Sequence, residues 1–101
     1  MKKIAILGST GSIGNTLINI VKKHKKDYQI VLLTADKNYK KIIKQVNLFN
    51  VKNIIITDKR SFLIAKKNLE NKKINIYNDF NSLKKIFKNK KIDYTMSAIS
   101  T

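Results

Sequence analysis

The heptapeptide Gly8-Ser9-Thr10-Gly11-Ser12-Ile13-Gly14 holds every glycine of the 101-residue chain and directly follows the apolar run Ile4-Ala5-Ile6-Leu7. A G-x-x-G-x-x-G turn between a strand-like run and an amphipathic segment is suited to cradling phosphates. Gly8 allows a sharp turn off the strand, at backbone angles that strain other residues. A Cβ at Gly11 would intrude where a pyrophosphate meets the main chain, and one at Gly14 would hold the next helix away from the sheet. The amides of Gly11, Ser12 and Ile13 open that helix, whose dipole adds partial positive charge at the same place. The hydroxyls of Thr10 and Ser12 supply donors to phosphate oxygens or a helix cap. Thr10, Gly11, Ser12 and Ile13 are therefore candidate residues for binding a dinucleotide. A bare strand-to-helix turn would not demand three glycines. No Gly-Lys-Ser/Thr follows them, which excludes a Walker-type loop.

The second candidate is Thr34-Ala35-Asp36-Lys37-Asn38, at the end of the next apolar run, where a dinucleotide's adenosine ribose would lie. A carboxylate there accepts from both ribose hydroxyls and favours NAD, whereas a cation favours the additional phosphate of NADP. The chain offers both, since Asp36 stands 22 residues past Gly14 with Lys37 beside it and Asn38 as a further donor. The chemistry of the pair leaves NAD and NADP both open, and a solvated turn is the plain alternative.

Other residues offer little chemistry. Asp27, Asp58, Glu70, Asp79 and Asp93 are scattered at no spacing suited to metal binding or acid–base work. His24, flanked by lysines near a helix end, reads as a capping or exposed residue. Tyr28, Phe49, Phe62 and Phe87 follow the apolar stripes and read as packing residues. The absence of cysteine removes disulfides, zinc–thiolate clusters and thiol nucleophiles. No catalytic residue and no metal ligand is assigned in this stretch.

These loops need elements to hold them. Apolar runs at 3–7, 28–34, 53–57, 74–77 and 92–99 read as strands. Helical periodicity links them at 12–25, 39–49, 58–71 and 82–88. The inward positions are Ile13, Leu17, Ile20 and Val21 in the first helix, then Ile42, Ile43, Val46 and Phe49 in the second. Phe62, Ala65 and Leu69 follow in the third, with Leu83, Ile86 and Phe87 in the last. Alternation of this kind predicts an α/β fold, a Rossmann-type doubly wound parallel sheet, truncated after the fifth strand. Residues 1–101 read as one cofactor-binding domain, with no repeat, linker or low-complexity tail.

The net charge of +16 comes from 22 basic residues, of which 21 are lysine. They are spread over every segment beside 17 isoleucines and 12 asparagines, three residue types that share AT-rich codons. Nucleic-acid readers gather arginine on one face, so base bias accounts for the charge and no nucleic-acid partner is expected. No apolar stretch approaches the ~20 residues of a membrane span. The opening apolar run is also too short for a signal peptide. A cytoplasmic protein without a membrane partner is the expectation.

The segment Ile6-Leu7-Gly8-Ser9-Thr10-Gly11-Ser12-Ile13-Gly14, with Thr16-Leu17 behind it, resembles the opening of 1-deoxy-D-xylulose 5-phosphate reductoisomerases. Ala35–Asn38 and Met96-Ser97-Ala98-Ile99 resemble two later segments of the same family, and the likeness covers all 101 residues. Asp36 stands where that family often carries glycine or another small or neutral residue. The resemblance implies an NADPH-dependent enzyme of non-mevalonate isoprenoid biosynthesis. Such an enzyme rearranges and reduces 1-deoxy-D-xylulose 5-phosphate to 2-C-methyl-D-erythritol 4-phosphate with a divalent Mg or Mn ion. It also implies a phosphorylated sugar as substrate and a homodimer as the full-length form. By position, Thr10, Gly11, Ser12 and Ile13 would hold the cofactor phosphates, and Asp36, Lys37 and Asn38 the adenosine end. Lys37 would face the 2′-phosphate, and Ala98, Ile99 and Ser100 would lie nearer the nicotinamide. Metal and substrate ligands would lie outside this chain, so these residues alone would not catalyse the reaction. The readings that compete are another NAD(P) oxidoreductase with a G-x-x-G-x-x-G loop and a non-catalytic module that binds nucleotides or nucleic acid.

Overall fold

Runs rich in isoleucine become strands here because a sheet covered on both faces accepts apolar side chains at consecutive positions. In the computed structural model, which describes residues 1–99, the chain runs β1 (Lys2–Leu7), α1 (Ser12–Lys23), β2 (Tyr28–Ala35), α2 (Tyr39–Phe49) and β3 (Asn53–Ile56). It continues through α3 (Lys59–Asn68), β4 (Asn75–Tyr77), α4 (Leu83–Asn89) and β5 (Tyr94–Ser97), with a 3-10 turn at Phe80–Ser82 leading into α4. Every strand pairing is parallel, and the order across the sheet is β4-β3-β2-β1-β5.

That order explains the layers. From β1 the chain steps outward to β4, then α4 carries it back to the far side of β1. Right-handed crossovers in opposite directions put their helices on opposite faces. On one face Ile18, Ile42 and Ala65, from α1, α2 and α3, pack with Ile4, Ile6 and Ile54. On the other, Ile86 of α4 packs with Ala5, Leu32 and Ile55 in a smaller core. The doubly wound parallel sheet read from the sequence is present, with five strands. Its winding reverses between β1 and β5, which opens a crevice at the carboxyl ends of those strands.

One irregularity adjusts the centre of the sheet. Ile4 pairs with Ile30 but Ala5 with Leu32, so Val31 is left as a bulge. The Asn53 side chain donates to the Val31 carbonyl (3.1 Å) and accepts from Asn75 Nδ2 (3.1 Å), so the buried polar groups there find partners.

Two packing expectations need correction. In α1 the buried positions are Gly14, Ile18 and Val21, while Ile13 and Ile20 are 62% and 49% exposed. The face carrying Gly14, Ile18 and Val21 is drawn in, and Ile13 and Ile20, seven residues apart and so together on one flank, are left facing outward. Phe87 is also exposed, because α4 is two turns long and turns Ile86 toward the sheet. No described helix is long and apolar enough to cross a membrane.

Candidate functional site

The glycine loop leaves β1 at the reversal point of the sheet, and Gly8 makes the turn at φ +75°. The end of β2 clamps it, since Gly8 N–H donates to Thr34 Oγ1 (2.9 Å) and Ser9 N–H to the Thr34 carbonyl (2.9 Å). From the helix side, Ser9 Oγ donates to Gln45 Oε1 (2.7 Å) while Gln45 Nε2 donates back to the Ser9 carbonyl (2.9 Å). Ser9 and Gln45 are both buried. This reciprocal pair ties the back of the loop to α2, leaving Thr10 and Gly11 on the crevice side.

The other two glycines meet opposite surroundings. A Cβ added at Gly14 would lie 2.1 Å from the Gly8 carbonyl oxygen and 2.7 Å from Ser9 Cα, so α1 rests against the loop's own main chain. A Cβ at Gly11 would find nothing nearer than the Gly8 carbonyl oxygen at 4.0 Å. Gly11 therefore keeps open ground beside the helix entrance. It is also the N-cap of α1, with no side-chain capping bond, so neither Thr10 nor Ser12 caps the helix as the sequence had suggested. The first helical bond runs from Asn15 N–H to the Gly11 carbonyl (2.8 Å), and the preceding amides lack intrahelical acceptors.

A cleft of about 400 Å³ opens in front of this loop, lined by Gly8, Thr10, Gly11, Asp36, Thr57 and Ile99 among others. Of the candidate residues it brings together Thr10, Gly11 and Asp36. Ser12 and Ile13 stand beside it, exposed at the first turn of α1. Lys37 lines an adjoining cleft instead, with Tyr39, Asp58 and Arg60. Asn38 caps α2 by accepting from Lys41 N–H (3.2 Å), which leaves its amide nitrogen as a donor. Ala98 and Ile99 line the cleft at the end of β5, and Ser100 lies outside the described residues.

Asp36 is not a free carboxylate. Its Oδ1 accepts the Thr57 hydroxyl at 2.6 Å, and its main-chain carbonyl accepts Asp58 N–H at 3.1 Å. Asp58 caps α3, and bonds from the Ser61 hydroxyl (2.7 Å) and amide (3.0 Å) hold its carboxyl below the ordinary value, helped by nearby Lys37 and Arg60. Three of the other four acids have partners as well. Asp93 accepts from Lys3 N–H (2.7 Å), Asp79 caps the 3-10 turn, and Asp27 sits 3.8 Å from His24. His24 ends α1 through its main-chain N–H, the role read for it. Among the described residues no three His, Asp or Glu side chains stand together as a metal site.

Sequence reasoning placed Ser9 and Thr34 inside the two candidate segments without reading them as braces, and missed Gln45 and the lining residues Thr57 and Phe80. Gln45 carried a signal, being a polar residue three positions from Ile42 on an otherwise apolar helix face.

Open ground at Gly11, amides without helical acceptors, and hydroxyls at the end of a strand suit a dinucleotide diphosphate with its ribose toward Asp36. The chain is 62% identical to the 1-deoxy-D-xylulose 5-phosphate reductoisomerase of Pelagibacter ubique (strain HTCC1062), over 99% of this chain and 26% of that protein. It is 36% identical to the enzyme of the same name from Clostridium novyi (strain NT), over 98% of this chain and 26% of that one. Among solved structures it is similar to the reductoisomerase from Zymomonas mobilis in complex with NADPH. That match has a TM-score of 0.85 and 26% identity, and covers 97% of this chain and 26% of the other. The chain thus spans about a quarter of the length of these relatives. The family model for 1-deoxy-D-xylulose 5-phosphate reductoisomerase matches residues 4–101. By that match the chain belongs to the 1-deoxy-D-xylulose 5-phosphate reductoisomerase family.

Proposed function

We propose that residues 1–101 are the NADPH-binding part of a cytoplasmic, homodimeric 1-deoxy-D-xylulose 5-phosphate reductoisomerase. The whole enzyme converts that phosphorylated sugar to 2-C-methyl-D-erythritol 4-phosphate in isoprenoid biosynthesis. The carrying observation is the contrast within one loop, where Gly14 is pressed against main chain while Gly11 faces open space. A turn needed only for folding has no use for the second. The main-chain amides at Gly11, Ser12 and Ile13 hold the diphosphate, and Thr10 and Ser12 add hydroxyl donors. Asp36, Lys37 and Asn38 receive the adenosine ribose, and Ala98 and Ile99 flank the nicotinamide side. NADPH supplies the hydride for the reduction. The divalent metal and the sugar phosphate are held by parts of the protein outside these residues.

The test is a titration of the chain with NADPH followed by nicotinamide fluorescence. Saturable binding is expected, and Gly11→Val should weaken it by about tenfold or more, the equivalent of 1.4 kcal/mol. Binding indifferent to Gly11→Val would refute the assignment. Salt-steep binding of duplex DNA in its place would favour a basic nucleic-acid module.

A further inference from the structure

The adenosine end holds a cation that the sequence motif did not single out. Arg60, the chain's single arginine, stands in the first turn of α3 and lines with Lys37, Tyr39, Asp58, Ser61 and Ile64 a cleft of about 390 Å³. Beyond the paired strands, Thr57 N–H donates to the Ala35 carbonyl and Asp58 N–H to the Asp36 carbonyl, both at 3.1 Å. These bonds zip the two loops together, so that Asp36-Lys37-Asn38 and Asp58-Lys59-Arg60 run side by side. Both acids in this corner already have partners, Asp36 in the Thr57 hydroxyl and Asp58 in Ser61. The two cations make no close ion pair among the described residues, and act on the Asp58 carboxylate only at longer range, where they help to lower its pKa.

We infer that Arg60 joins Lys37 in a two-cation seat for the 2′-phosphate of NADPH, reached across the zipped β2 and β3 loops. The inference rests on the dinucleotide reading above and adds a specificity residue to it. The chemistry favours the pair. A phosphate monoester carries close to two charges, and a guanidinium answers it with a planar fork while an ammonium adds a point charge. The Thr57 bond draws Asp36 toward the end of β3, leaving the cationic corner to an anion. Asp36 and Lys37 thus stop being rival signals, since one is held back and the other reinforced.

The experiment compares NADPH and NADH affinities of the chain and its variants by fluorescence titration, with circular dichroism as the check on folding. Arg60→Ala should weaken NADPH by about tenfold while changing NADH less than twofold, as expected for a charge-assisted contact to phosphate alone. Arg60→Lys should recover part of the loss. An Arg60→Ala variant that binds NADPH as the parent does, or loses both dinucleotides equally, overturns the inference while the dinucleotide reading stands. A parent chain that binds neither dinucleotide overturns both.

Discussion

Lys37 and Gly14 show how differently single residues act within one loop system. Lys37 is exposed at a cleft and contributes nothing visible to the core, so Lys37→Ala should leave stability unchanged and weaken NADPH more than NADH. Equal losses for the two dinucleotides would remove Lys37 from the 2′-phosphate. Gly14→Ala should do the reverse. Its Cβ would fall 2.1 Å from a main-chain oxygen that cannot rotate away, so the cost should reach the upper end of roughly 1–3 kcal/mol for overpacking. Gly11→Ala, with open space around it, should cost less than about 1 kcal/mol, the scale of a weaker N-cap. Urea denaturation of the two variants checks the contrast, and equal midpoints would contradict it. The glycine spacing was legible because glycine is the residue whose missing side chain is itself the message. What could not be read was the neighbour each absent Cβ would meet. Nor was the tie of Asp36 to Thr57, which depends on two strands lying side by side.

Among the elements, the strands were legible from their β-branched runs and the helices from their apolar repeats, yet several ends were not. The third helix was expected over 58–71 and spans Lys59–Asn68, and the last strand was expected over 92–99 and spans Tyr94–Ser97. A chain without proline, and with glycine confined to one loop, must stop its helices by other means, and these are weak signals in sequence. Asn50 ends α2 in the left-handed region at φ 54°, while His24 and Leu69 close α1 and α3 with main-chain bonds. Acidic and amide caps start the next elements. Asp58 at the head of α3 gives a pH prediction. Its folded carboxyl is held below its ordinary 3.8 by Ser61 first, so its stabilisation is present above that value and fades as pH falls through the lowered one. Asp58→Asn keeps an acceptor at the cap but removes the titration, so it should flatten the loss of thermal midpoint below about pH 4. Parent and variant falling in parallel with acid would assign that limb to other carboxylates.

At the scale of the whole molecule, 22 basic and 6 acidic residues must share a body with a radius of gyration of 12.3 Å. The close contact between a basic and an acidic side chain among the described residues, His24 with Asp27 at 3.8 Å, is exposed and leaves the excess of lysine untouched. At an ionic strength of 0.01 M the screening length is about 30 Å, so every lysine feels every other. At 1 M it is about 3 Å, and the repulsion reduces to nearest neighbours. Repulsion acts on the compact state more than on the open chain, so added salt should raise the thermal midpoint. NADPH binding should respond in the opposite sense, because screening weakens the attraction between a cationic cleft and three phosphate groups. The two responses separate a charge that comes from composition from a charge that acts at a site. Arg60→Ala and Lys37→Ala should make the fall in NADPH affinity with salt shallower, while replacing a distant lysine such as Lys88 on α4 should leave it unaltered. Thermal melts and NADPH titrations across the same salt series test both halves. If Lys88→Ala flattened the NADPH response as much as Arg60→Ala, the attraction would belong to the net charge of the molecule and not to the corner between β2 and β3.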